Sequence, residues 1–64
     1  MLLSEFIVMD LAEKKEALLH NGLLIAKRAL PGFRVLLFQC EGYYVEAFCH
    51  LETQSIVQFT AHTG

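Results

Sequence analysis

At 64 residues and a net charge of −2, the chain is one small domain, 1–64, without the clustered Lys and Arg that a nucleic-acid backbone needs. No stretch approaches the run of about 18 uncharged apolar residues that a membrane-spanning helix takes, so neither nucleic acid nor a membrane is an expected partner. Yet 55% of the residues are hydrophobic, only 19% are charged, and the mean hydropathy is +0.43.

That balance is unusual. A domain this short buries only about 60% of its extended surface and should read more polar than average. The excess predicts apolar surface covered by another chain, and hence a homo-oligomer, with a dimer as its simplest form. Two cysteines, Cys40 and Cys49, make no disulfide framework, and "MLLSEFIVMD" has no basic region before its apolar run. The expected location is therefore cytoplasmic, with reduced thiols.

In chain order, "EFIVM" (5–9) is rich in strand-favouring Phe, Ile and Val and predicts a short strand or extended arm. The competing reading has Ser4 capping a longer helix through Met9. "DLAEKKEALLHNG" predicts a helix over 11–21: Asp10 and Glu13 have capping-box spacing, Ala, Leu, Glu and Lys fill the body, and Asn21-Gly22 stops it. Leu11 and Leu18, and Ala12 and Leu19, recur at seven-residue spacing and mark its apolar face. Strands are predicted over 23–29, 33–40, 43–51 and 55–60, separated by the turns Pro31-Gly32, Glu41-Gly42 and "ETQ" (52–54), with "AHTG" frayed. The fold class is α+β, one N-terminal helix packed on a four-stranded antiparallel meander.

A two-residue Glu41-Gly42 loop fixes the register of the second hairpin. Cys40 opposes Tyr43, Phe38 opposes Val45, Leu36 opposes Ala47 and Arg34 opposes Cys49, all on one face. The other face carries Phe33, Val35, Leu37, Gln39, Tyr44, Glu46, Phe48 and His50. A half-solvated sheet has one apolar and one polar face, but here both are largely apolar, and one helix cannot cover both. The face with small residues Ala47, Cys49 and Cys40 suits the helix. The other is the expected interface, with Phe33, Val35, Leu37, Tyr44, Glu46 and Phe48 as its candidate residues. Strand 55–60, uncharged and without proline, is an edge able to accept a strand from a partner protein, whereas Lys27 and Arg28 discourage pairing at 23–29.

Glu46 among aromatics is the one residue that resembles a catalytic acid. Its ordinary reading is an ion pair across the sheet with Arg28 or Lys27, and no second carboxylate or histidine reaches it by motif. His50 shares its face but lies too far along the strand. Cys49 and His50 are neighbours on a strand, so they point to opposite faces and cannot share a metal ion. Cys40 and Cys49 are expected as small buried apolar residues, and His62 could join a zinc site only across a dimer. Tyr43, Tyr44, Phe48 and Phe59, near the basic Lys27, Arg28 and Arg34, imitate a base-stacking platform but are better used in core and interface. No phosphate loop, nucleophile elbow or H-E-x-x-H is present. No catalytic group, cofactor or metal is expected.

"LLHNG" followed by "GFRVLLFQCEGYYVEAFCHLETQSIVQF" resembles a group of short bacterial proteins of unknown function. Their pattern is a helix ending in H-G, G-[FY]-[KR] opening a hydrophobic strand, a Gly turn, then Y-V-E. The matching residues are His20, Gly22, Gly32, Phe33, Arg34, Gly42, Tyr43, Tyr44, Val45 and Glu46, within 18–60. The resemblance implies the same helix-plus-meander fold and no activity. It also implies a Leu- and Pro-containing tail after the last strand in those relatives, a natural cover for the second face. The function expected is a small non-enzymatic dimerising interaction or regulatory domain. The alternative is an effector-binding module with a pocket at the sheet–helix or dimer seam, with Glu46 and Tyr44 supplying polar specificity.

Overall fold

The computed structural model describes residues 1–63. Its elements are α1 (Leu3–Phe6), α2 (Leu11–Asn21), β1 (Leu23–Leu30), β2 (Phe33–Cys40), β3 (Tyr43–His50) and β4 (Ser55–His62). The strands form one antiparallel sheet in the order β1-β2-β3-β4, so the chain is an α+β protein built on a meander. Among the described residues no helix is long and apolar enough to cross a membrane.

The capping box of α2 forms as its sequence predicts. Asp10 Oδ1 accepts from the Glu13 amide at 2.8 Å, and Glu13 Oε1 accepts from the Asp10 amide at 3.2 Å. Two donors that the first turn leaves free are thereby satisfied. Asp10→Ala removes one of them and is expected to cost about 1 kcal/mol, read as a lower urea midpoint at unchanged slope.

The helix ends at Gly22 for a reason the sequence does not display. Gly22 is extended (φ −95°, ψ 157°) rather than left-handed. What it supplies is space, since a Cβ there would sit 2.9 Å from the Leu18 carbonyl oxygen and 3.4 Å from Phe38 Cβ. The buried stripe of α2 also differs from the expected one. Leu18 is buried, but Leu11 and Leu19 are 50% and 63% exposed. Lys14 and Ala17 flank Leu18 instead, at the spacing that shares a face.

Residues 5–9 are not a strand. The amides of Glu5 and Phe6 donate to the Leu2 carbonyl, that of Ile7 to Leu3 and that of Met9 to Phe6, all within 3.0–3.1 Å. A strand needs a neighbouring backbone to satisfy those groups, and the segment pairs with no strand of the sheet. The helical turn satisfies them locally. Glu5 Oε1 closes it by accepting from the Leu2 amide at 2.8 Å. The turn inserts Phe6, 1% exposed, into the core. Its ring meets Phe59 edge-on at 6.0 Å and Tyr43 at 6.4 Å, with Lys14 Nζ 5.4 Å from its centroid.

Two tight turns set the register. Gly32 (φ 79°) and Gly42 (φ 87°) both occupy positive φ, which side chains with a Cβ rarely adopt. Cys40 pairs with Tyr43, Phe38 with Val45, Leu36 with Ala47 and Arg34 with Cys49, as predicted. The outer strands are each interrupted by a bulge, between Leu24 and Ala26 in β1 and opposite Phe48–Cys49 in β4. β4 runs to His62, so Ala61 and His62 belong to the sheet and are not frayed. β3 ends at His50, one residue earlier than predicted, where the turn 51–54 begins, although the Leu51 amide still bonds the Gly32 carbonyl opposite it at 3.0 Å.

The core gathers Phe6, Leu18, Phe38, Tyr43, Val45 and Ala47. All four sheet residues in it belong to the face predicted for the helix. The start of α2 lies near Gln54 and Ser55, and its end lies against Phe38, so it crosses this face diagonally.

Candidate functional site

The opposite face carries no helix. Reading across the register, its side chains are Leu23, Ala26, Arg28 and Leu30 on β1, Phe33, Val35, Leu37 and Gln39 on β2, and Tyr44, Glu46, Phe48 and His50 on β3. On β4 they are Ser55, Gln58, Thr60 and His62. The face is thus graded, apolar along β1 and β2, mixed on β3 and polar along β4. Phe33, Leu37, Tyr44 and Phe48 are half-buried by their neighbours alone. His50 packs edge-on against Phe33 at 5.3 Å, and its Nδ1 is enclosed without a hydrogen-bond partner.

At the centre stands Glu46, 18% exposed in its side chain. Arg28 Nη2 donates to one carboxylate oxygen at 2.7 Å, and His62 Nε2 contacts the other at 2.6 Å. Arg28 starts on β1, so its stem must cross β2 to reach β3. It passes over Val35, its cross-strand partner, which is why Val35 is only 1% exposed on a face with no covering element. The carboxylate therefore serves as the hub of a three-strand tie. Arg28, one of the two cations expected, is its partner. Lys27 lies on the opposite face, across from Leu36. His62 joins the tie although its position was expected to fray.

The remaining candidates separate in space. Tyr43 and Phe59 lie under the helices, and Tyr44 and Phe48 on the free face, so the four aromatics form no common platform. Lys27 and Arg34 face the helix side while Arg28 is tied to Glu46, which disperses the basic patch. Cys40 and Cys49 are free thiols, half-buried on the helix side. Among the described residues no three His, Cys, Asp or Glu side chains converge as metal ligands.

A second concavity lies on the helix side, where α2 does not close fully on the sheet. Two clefts meet there along one seam. One, of about 170 Å³, runs between Leu18 and the sheet residues Phe38 and Phe59. The other, of about 430 Å³, lies between Leu11 and Ala12 and the chain around Cys49, Gln54 and Ser55. Lys15, Leu36 and Ile56 line both. Glu46 and Tyr44 are on the other face and do not reach this seam. Nothing in the residue pattern marks it, because the gap follows from the diagonal path of α2.

No family model, no curated protein and no solved structure matches this chain.

Proposed function

We propose that the protein is a small non-enzymatic interaction domain of the cytoplasm that acts as a homodimer, burying its helix-free sheet face against a second copy of itself. The observation that carries this reading is a half-buried apolar surface of Phe33, Leu37, Tyr44 and Phe48 on a face that no helix covers, with Val35 between them already closed over by the Arg28 stem.

Three features favour a second copy as the occupant. The first is size: four strands about 4.8 Å apart and eight residues long at about 3.3 Å each span roughly 500 Å², before side-chain relief is added. A standard interface takes about 800 Å² per partner, so the whole face is needed and the dimer is a small one. The second is charge. Glu46 is neutralised by Arg28 within its own chain, so closing the face strands no lone ion. The third is the gradient, which sets the apolar side chains of β1 and β2 beside a polar rim along β4.

A partner protein has a further route. The outer edge of β4 holds neither charge nor proline over 55–60, so an added strand can pair there, on either side of the bulge.

The test is the mass in solution. Sedimentation equilibrium at micromolar concentration is expected to give a dimer, and Leu37→Lys is expected to give a folded monomer. The introduced ammonium sits directly across from Glu46, which limits its cost to the fold. A wild-type monomer at that concentration sinks the reading.

A further inference from the structure

The seam between α2 and the sheet is independent of the dimer face, since it lies on the opposite side of the sheet. Its smaller cleft, about 170 Å³, exposes an apolar wall throughout. Leu18 and Phe38 form the floor, Ile56 and Phe59 one side, and Leu19 stands exposed at the mouth. An apolar cavity of about 150 Å³ is large enough to hold benzene and offers water no hydrogen-bond partners. This cleft is open to solvent along the exposed Leu19, so a ligand can enter it from the surface.

Lys15 stands where this cleft joins its polar neighbour. It lines both clefts, and only its methylenes face the apolar one. The positions one turn away on α2 are Leu11, Ala12, Leu18 and Leu19, so no acid on the helix is in reach of it. Among the described residues the ion pairs are His20–Glu16, Arg28–Glu46 and His62–Glu46, and Lys15 is in none of them. Beyond Lys15 the seam turns polar, with Gln54 and Ser55 on its wall.

We propose that this seam binds a small amphipathic carboxylate, with a phenyl ring or a five-carbon alkyl chain in the apolar cleft and its carboxylate against the Lys15 ammonium. The size of the cleft selects the apolar part. The single unpaired cation at its mouth selects the sign of the head. Ser55 and Gln54 are positioned for further polar atoms on a longer ligand.

The experiment is an NMR titration of the full chain with hexanoate and phenylacetate, and with hexanol and 2-phenylethanol as uncharged counterparts. Saturable shifts are expected for the amides of Leu18, Phe38, Ile56 and Phe59, with the acids binding more tightly than the alcohols. Lys15→Gln, at an exposed helix position, is expected to weaken the acids about three- to fivefold more than the alcohols, the size of one partly exposed ion pair. The same titration on Leu37→Lys separates this site from the dimer, because seam binding is expected to persist in the monomer. No saturable shifts, shifts confined to the helix-free face, equal loss of acids and alcohols in Lys15→Gln, or loss of binding in Leu37→Lys each overturn the proposal.

Discussion

Phe6→Ala is expected to leave about half of the molecules unfolded at room temperature. The side chain is 1% exposed and packs against Phe59 and Tyr43. Truncating a buried Phe costs about 3–5 kcal/mol. A core of this size supplies only about 3–5 kcal/mol in total. The two quantities are equal, so no reserve remains. Phe6→Leu keeps most of the volume and loses mainly the aromatic contacts, about 0.5–1.5 kcal/mol, and is expected to stay folded. Circular dichroism and urea denaturation of the two variants check the pair. A cooperative transition at near wild-type midpoint in Phe6→Ala would show that the N-terminal turn is an accessory to the fold.

Alkaline destabilisation through Tyr43 is the second large effect. Burial, chiefly, pushes its hydroxyl up from 10.0 to about 12, with the negative charge and hydrogen bond of Cys40 and the charge of Glu5 acting in the same direction. In the unfolded chain the hydroxyl titrates near 10. Between those values the unfolded state has released a proton that the folded state retains, so stability falls as pH rises. The contribution is complete below about pH 10 and is lost as pH climbs through about 12, at up to roughly 2–3 kcal/mol. Tyr43→Phe keeps the ring and removes both the titration and the bond that the hydroxyl donates to the Met1 carbonyl at 3.2 Å. Urea midpoints of wild type and Tyr43→Phe are expected to draw together as the pH is raised above 10. Parallel losses in the two proteins would place the alkaline sensitivity elsewhere.

How far the sequence reached differs along the chain, for physical reasons. Helix α2 was legible at both ends because its signals are local: Asp10 with Glu13 at the start, Asn21-Gly22 at the stop. The central hairpin was legible because a two-residue loop leaves one register for Cys40–Tyr43, and all pairs beyond it follow by alternation. The same alternation sorted the side chains onto two faces but did not choose between them; the small Ala47, Cys49 and Cys40 only favoured the face that the helix covers. Phe6, Ile7 and Val8 misled because strand propensity measures fit to a sheet, and they pair with no strand of this one. The end of β4 was missed because the bulge opposite Phe48–Cys49 adds a residue whose presence no local pattern announces. That bulge also hid His62 from Glu46, while Arg28, in an unambiguous hairpin, was foreseeable as a partner. Leu11 and Leu19 kept helical spacing yet stayed exposed, since the angle at which α2 crosses the sheet decides which of its residues touch. The seam beneath it is legible only in three dimensions for the same reason.

The wedge of Phe6 between Tyr43 and Phe59 has a consequence in the order of synthesis. Every strand pairs with the next one in the chain, so each hairpin can close soon after its second half emerges. Such local pairing favours fast folding. Phe6 is the exception: its partners Tyr43 and Phe59 come 37 and 53 positions later in the chain. Until Phe59 is made, an apolar segment containing Phe6, Ile7 and Val8 has nowhere to dock. The segment that carries Phe6 therefore docks late, and until it does its apolar side chains are open to the aggregation that competes with folding.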